Sequence, residues 1–278
     1  MDILYLVGPN SINGYQDLRY SLRSIAQHGK NIDRVFVCGH CPEFLSDYVI
    51  KVNYLPDQSL PKTKKIFSQL LYAVKNTDIG VNHNGEFLIS MDDHIYVKEV
   101  DFNQYPVYVK DYIHRGYRYL LPDHLDYTKG SVEYQQILVN TYHFCINAGL
   151  NILNFVPHRN MHMNRYVFAE MESSGLINEY FNNPQEIEGL IVAQNYRLRT
   201  HPFTYSICMD IKSDSPGKLK YYINSNQQVH CFSMNDFTLG SELDTFIGGL
   251  FPNKCLYENE LECAVVCVGS DVSDGISS

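Results

Sequence analysis

Tryptophan is missing from this chain of 278 residues, although it carries 22 Tyr and 14 Phe. Phenolic rings at that density fit a large polar-aromatic cleft, or a compositional bias of the source. Several motifs are missing as well. There is no G-x-S-x-G elbow and no Walker loop, which sets aside the common serine hydrolases and P-loop enzymes. There is no H-E-x-x-H zinc helix, and no G-x-G-x-x-G follows the first predicted strand, which argues against a dinucleotide fold of the usual type. Positive charge is also scarce: 22 Lys and Arg stand against 31 Asp and Glu, a net −9 that argues against wholesale wrapping of nucleic acid while leaving a local basic groove open. No apolar run approaches the roughly 20 residues that span a bilayer. The start, Met1-Asp2-Ile3-Leu4, lacks the basic opening of a signal peptide. The eight Cys form no disulfide framework, and Cys38 and Cys41 have no second pair at zinc-finger spacing; they read as structural thiols at a strand end. A reducing, cytoplasmic setting is the expectation, with peripheral membrane contact left open.

What is present is an ordinary globular balance, 45% hydrophobic and 19% charged, in a chain long enough for a sizeable core. Residues 3–7 form an apolar strand that breaks at Gly8-Pro9-Asn10, where a strand gives way to a binding loop. Leu18, Leu22 and Ile25 follow at helical spacing with Arg19 and Arg23 on another side, and residues 35–38 form a second strand. That order opens a parallel α/β unit. A third strand is expected over 48–54, and a helix from Lys62 on, with Ile66, Leu70 and Ala73 on one side. Its start bears Lys62, Lys64 and Lys65, where the helix dipole does not favour positive charge, so an anion such as a pyrophosphate is one candidate to hold them. Further helices are expected over 105–115, 131–150, 166–180 and 185–194, and paired strands over 218–223 and 228–232. An apolar strand over 263–268 and a frayed tail from 271 complete the reading.

The chain is organised around Glu86-Phe87-Leu88-Ile89-Ser90-Met91-Asp92-Asp93-His94-Ile95-Tyr96-Val97. An apolar strand stops at two carboxylates and an imidazole, then β-formers resume. Carboxylates are costly to bury unless a cation or hydrogen bonds compensate them. Asp92 and Asp93 therefore belong where a buried strand emerges at the rim of an α/β sheet, the place where such folds bind ligands. With His94 they make a hard oxygen and nitrogen set suited to Mn²⁺ or Mg²⁺; an acidic turn between two strands is the alternative. A metal beside basic groups suits transfer from an anionic activated donor, because it neutralises a leaving diphosphate as charge develops.

The motif Met91-Asp92-Asp93-His94 after a hydrophobic strand resembles the acidic motif of nucleotide-sugar glycosyltransferases of the GT-A fold. More closely, four islands are similar, in order, to conserved regions of the Stealth family of capsular-polysaccharide hexose-phosphate transferases: residues 18–25, 87–93, 230–236 and 251–258. Three departures stand out: Leu6-Val7-Gly8-Pro9-Asn10 in place of the family's longer opening motif, Met91 where an asparagine precedes the paired aspartates, and Cys255 where a serine follows Pro-x-Lys. The resemblance implies an α/β, GT-A-like, Rossmann-related fold with a mixed central sheet. The single catalytic domain would cover 1–270: a donor half to about residue 100, a helical acceptor-side region over 101–200, and a C-terminal part over 201–270.

It also implies roles. Asp92 and Asp93 would contact the metal and the ribose or diphosphate. His94 would be a ligand or would fix a carboxylate from behind, and His230 would complete the metal set. Pro9, Asn10, Arg19, Lys65 and Asn235 would line the donor. Arg159, His158 and Arg165 would meet an acceptor or the donor phosphates, and Asp236 or Glu170 would serve as base. The implied partners are a nucleotide-sugar donor, UDP-linked among the candidates, and a carbohydrate or glycoconjugate acceptor. Sugar transfer, hexose-1-phosphate transfer, a phage-type DNA-base glycosyltransferase and a non-catalytic nucleotide-sugar-binding module are the readings that the residues leave open.

Overall fold

Every side chain of the first strand, β1 (Asp2–Val7), is buried. Because successive strand residues point to opposite faces, such a strand needs cover on both sides. A computed structural model describes residues 1–9, 11–113, 132–155, 159–207, 212–213, 215–224, 231–234 and 237–259. After β1 the chain forms α1 (Gln16–His28), β2 (Gly29–Lys30), β3 (Val35–Gly39), β4 (Val49–Asn53), α2 (Lys62–Asn76), β5 (Glu86–Ser90), β6 (His94–Tyr96), β7 (Val100–Asp101), β8 (Tyr108–Val109) and β9 (Asp111–Tyr112). There follow α3 (Val132–Asn147), β10 (Leu153–Asn154), β11 (Met161–Asn164), α4 (Arg165–Ser173), α5 (Leu176–Asn182), α6 (Gly189–Thr200), β12 (Ser206–Ile207), β13 (Lys212–Ser213), α7 (Pro216–Asn224), β14 (Cys231–Met234) and α8 (Glu242–Leu250).

The central sheet is mixed, in the order β11-β5-β1-β3-β4. β1 pairs in parallel with both β3 and β5, β3 in parallel with β4, and β11 runs antiparallel to β5. Leu4 and Leu6 face a core that includes Phe67 of α2, Val167 of α4, Tyr180 of α5 and Leu190 of α6. Ile3, Tyr5 and Val7 face Leu18, Leu22 and Ile25 of α1. A third cluster lies beyond α1: Tyr20 packs with Ile95, Phe232, Met234, Leu243 and Ile247. This cluster sits on a second sheet, β13-β14-β6, in which β14 runs antiparallel to β6. Among the described residues no helix is long and apolar enough to cross a membrane. The thiols of the C-x-x-C pair point at backbone, Cys38 Sγ donating to Gln69 O and Cys41 Sγ to Val37 O, as structural thiols do.

Three local expectations are corrected. Residues 102–104 form a 3₁₀ turn and β8 and β9 follow, in place of a helix over 105–115, of which 114 and 115 lie outside the described residues. Tyr105, before Pro106, is extended at φ −64° and ψ 124°. Residues 216–224 are helical where a strand over 218–223 is expected. Pro216 holds the first helical position, and of its side chains Leu219 is buried while Tyr221 stays exposed. The helix expected over 166–180 breaks at Gly175, whose φ of 82° ends α4 and starts α5. The expected strand over 263–268 and the tail lie outside the described residues.

One buried ion pair ties the C-terminal part to the first helix. The Glu258 side chain is wholly buried and takes two hydrogen bonds from Arg23, at 2.7 and 2.9 Å, and one from Arg19 at 3.0 Å. Arg19 also lies flat over Phe44, 3.7 Å from the ring centroid. Burial pushes the Glu258 carboxyl up, but the Arg23 hydrogen bond and charge outweigh it and leave it below the ordinary 4.5. The contribution of such a group is complete above its unfolded value and is lost as pH falls through the lower folded one. Glu258→Gln is expected to cost about 3–5 kcal/mol at pH 7 in urea unfolding, and its deficit against wild type should shrink as the pH drops below 4.5.

Candidate functional site

Strands β1 and β5 run side by side in parallel, yet β1 continues through α1 to β3 on one side while β5 arrives through α2 on the other. The carboxyl ends of these two strands therefore form the point where the strand order reverses, and open α/β sheets bind ligands there. Pro9 lies half-buried just past β1. Past β5 the chain makes a tight turn, the His94 N–H donating to Met91 O at 3.2 Å, and Asp92 and Asp93 occupy its centre.

Asp93 is held from the second sheet. The Ser233 hydroxyl donates to its Oδ2 at 2.5 Å, and the Met234 N–H donates to its carbonyl at 3.0 Å. The register explains this: Cys231 pairs with Tyr96, Phe232 with Ile95 and Ser233 with His94, so the last residue of β14, rather than its first, meets Asp93. His94 is only 2% exposed. Its Nδ1 lies 3.4 Å from the Met91 N–H, which must donate, and 3.2 Å from the Asn160 side chain. The Asn160 atom is the acceptor Oδ1, and on the other side of the ring Nε2 faces Asp93 Oδ1 at 3.8 Å.

Asp92 is half-buried, and its pKa is pushed up to about 7. Burial is the main cause, followed by the charges of Asp17, at the start of α1, and Asp93; Lys62, the first residue of α2, opposes them. Acidic groups of two segments, the start of α1 and this turn, therefore act on Asp92 against one lysine. A divalent cation fits that donor set, since two adjacent carboxylates supply hard oxygen ligands and leave positions for phosphate oxygens and water. The described trio of acidic and histidine groups whose ligand atoms converge within 4.8 Å is a different one, Asp2, Asp33 and His83, at the amino end of β1. Asp2 is already occupied there by Arg34 and by the Gly80 N–H.

The other expected residues divide sharply. Arg19, assigned to a phosphate, is committed to Glu258. The Lys65 ammonium lies 3.4 Å from Gln58 O, and Lys64 is buried with its ammonium on Phe181 O and Asn183 O, where it satisfies the carboxyl end of α5. Arg165 caps the far end of α2 through Val74 O, Thr77 O and Ile79 O, away from the rim. Glu170, a candidate base, pairs with His201 at 2.8 Å on an exposed surface. The His162 ring is buried against Tyr105 O. Arg159 is buried over the Tyr108 ring, and its charge acts on Cys231, as does that of Asp93. Asn10, His158, His230, Asn235 and Asp236 lie outside the described residues.

Two groups were not singled out from sequence. Ser233 fixes Asp93, and Glu188, just ahead of α6, is buried with its pKa pushed up to about 7 by burial. The signal for Glu188 is present in Gln185-Glu186-Ile187-Glu188-Gly189, two carboxylates ahead of an apolar run, but a helix assigned over 185–194 conceals it as an exposed helical acid.

No family model matches the sequence, and no curated protein sequence matches it. Among solved structures, the chain is similar to the apo form of the glycosyltransferase GlyE of Streptococcus pneumoniae TIGR4, with 9% identity, a TM-score of 0.39, and coverage of 88% of this chain and 58% of that one. It is also similar to the galactosyltransferase LgtC in complex with donor and acceptor sugar analogs, with 12% identity, a TM-score of 0.43, and coverage of 92% and 98%. The chain thus spans little more than half the length of the GlyE chain.

An acid whose pKa is raised by the fold costs stability only where it is ionised. In metal-free buffer, Asp92→Asn is therefore expected to be neutral near pH 4 and to gain about 1–3 kcal/mol above pH 7, read by thermal unfolding across that range.

Proposed function

We propose that this protein is a metal-dependent glycosyltransferase that moves a sugar from a nucleotide-sugar donor to a hydroxyl of a carbohydrate or glycoconjugate. The observation that carries this reading is the position of Asp92 and Asp93. They stand at the strand-order reversal, where Ser233 holds Asp93 and burial with the charges of Asp17 and Asp93 pushes the Asp92 carboxyl up. Asp92 and Asp93 would hold Mn²⁺ or Mg²⁺, which when bound neutralises a donor diphosphate. His94 and Ser233 keep Asp93 in one orientation, so that its carboxylate needs no reorganisation when the donor arrives. Lys62 is exposed, makes no hydrogen bond or ion pair with another described residue, and lowers the pKa of Asp92. It is placed to meet a donor phosphate, the task expected of Arg19 and Lys65.

A second reading, hexose-1-phosphate transfer, is favoured by a specific observation. Described residues of the four islands that resemble the Stealth family touch one another in two pairs, and His94, next to the second island, joins the pairs. Arg19 and Arg23 of the first bind Glu258 of the fourth, Ser233 of the third binds Asp93 of the second, and Ser21 of the first donates to His94 O at 2.6 Å. Transfer to DNA finds less support, because the track it needs is committed elsewhere: Arg19 to Glu258, Arg197 to Glu86, Lys64 and Arg199 to backbone carbonyls.

Thermal shift with a panel of nucleotide sugars, with and without Mn²⁺, tests the reading. A donor is expected to raise the Tm only when Mn²⁺ is present, and Asp93→Asn should abolish that shift and lower turnover at least about 100-fold with the fold intact. A fully active Asp93→Asn protein would remove the metal role. Release of nucleoside diphosphate marks sugar transfer, and release of nucleoside monophosphate marks hexose-phosphate transfer.

A further inference from the structure

The amino ends of β1, β3 and β5 form the rim of the sheet opposite to Asp92 and Asp93, and a second polar cluster stands there. Asp2 opens β1, Asp33 lies just ahead of β3, and His83 ends a 3₁₀ turn over Val81–His83, just ahead of β5. A tight loop carries His83 to this place. The His83 and Gly85 N–H groups both donate to Gly80 O at 2.9 Å, and Gly80 has a φ of 76°, where a Cβ would come within 2.6 Å of Gly85 O. Asp33 is tied back through its N–H, which donates to Met1 O at 2.9 Å.

One ligand atom from each of Asp2, Asp33 and His83 lies within 4.8 Å of the other two. His83 Nε2 is 3.3 Å from Asp33 Oδ2 and 3.9 Å from Asp2 Oδ1. The first distance is within hydrogen-bond reach, yet Nε2 is buried and makes no hydrogen bond with a described residue. A buried ring nitrogen without a bond is costly. Ligand atoms that converge without bonding one another are spaced as around a shared centre. Oxygen and nitrogen ligands about 2.0–2.1 Å from a tetrahedral Zn²⁺ stand about 3.3 Å from each other.

Asp2 has room for an ion in spite of its other partners. Its Oδ2 accepts from Arg34 Nη2 at 2.7 Å and from the Gly80 N–H at 2.8 Å, whereas its Oδ1 accepts from Arg34 Nε at 3.1 Å. A carboxylate oxygen offers two lone pairs, so Oδ1, the oxygen that faces His83, keeps one. Arg34 fixes the direction of Asp2, as hydrogen-bonded partners do for the carboxylates that hold metals. Charge permits a cation as well. Asp2, Asp33 and Asp78 gather around one guanidinium, that of Arg34, and the Met1 amine donates to Asn31 O and Asn103 Oδ1.

We infer that Asp2 Oδ1, Asp33 Oδ2 and His83 Nε2 bind a divalent transition-metal ion of the zinc type, with water in the fourth position. One imidazole nitrogen with two carboxylates suits Zn²⁺, whereas Mg²⁺ takes oxygen ligands in octahedral geometry. The ion ties the leading ends of β5, β1 and β3, three neighbours in the central sheet, so its binding stabilises the fold. It is separate from the cation proposed at Asp92 and Asp93 and does not rest on the transferase reading.

The test titrates Zn²⁺ into the metal-free full chain, read by competition with a chromogenic chelator and by thermal unfolding. Wild type is expected to bind one Zn²⁺ and to gain in Tm. His83→Ala and Asp33→Asn change side chains that are 24% and 43% exposed, and Asp2 stays untouched because it also holds Arg34. Each variant is expected to bind Zn²⁺ at least about 10-fold more weakly and to lose the gain in Tm, while Asp93→Asn keeps both. Circular dichroism of the metal-free variants checks their folding, and Asp33→Asn carries the test if His83→Ala does not fold. Wild-type affinity in the folded variants, or no Zn²⁺ bound by wild type, overturns the site. Loss of the ion in Asp93→Asn alone assigns it to the turn after β5 and overturns the site as well. None of these results decides the transferase reading, which is judged by Mn²⁺-dependent binding of a nucleotide sugar.

Discussion

The pairing of Cys231–Met234 with His94–Tyr96 is the contact on which the site depends. A turn bearing two adjacent carboxylates at the mouth of a sheet repels itself and has no reason to hold one shape. Strand β14 supplies that reason from 140 residues away, with a hydroxyl on Asp93 Oδ2 and a backbone N–H on Asp93 O. The same pairing buries Phe232 and Met234 with Ile95 and Tyr20, so apolar contact stabilises what electrostatics opposes. The Ser233 hydrogen bond fixes the direction of the Asp93 carboxylate at the end of β5.

Elsewhere the molecule compensates its charges closely. Glu258 meets Arg19 and Arg23, Asp2 meets Arg34, and Glu86 meets Arg197. Lys64, buried in the first turn of α2, spends its charge on the carboxyl end of α5. At the strand-order reversal the pattern changes. Burial and the charges of Asp17 and Asp93 push the Asp92 carboxyl up there, against Lys62.

The connected islands give this charge pattern a mechanical frame. Ser21 of α1 reaches the carbonyl of His94, Tyr5 lies 3.0 Å from the same hydroxyl, and Ser24 accepts from the Tyr96 N–H. Helix α1 thus works as a spine: one side is in the sheet core, another carries β6, and its arginines hold the segment around Glu258.

Local chemistry made much of this legible. Unbroken apolar runs determined β1, β3 and β5, and helical spacing determined α1 and α2, because burial on both faces leaves a strand or helix little choice of residues. The abrupt stop at Asp92 and Asp93 was enough to place them at a sheet rim, since two carboxylates have no place inside a strand. The sequence did not reveal which charges were spoken for. Arg19 and Lys62 look alike as isolated cations, and only the return of residue 258 to α1 shows that Arg19 is taken and Lys62 is not. Ser233 was hidden for the same reason. Its importance lies in a partner 140 residues distant, and tertiary folding alone decides such pairings because electrostatic and hydrogen-bond partners need nearness in space and leave no period in the chain.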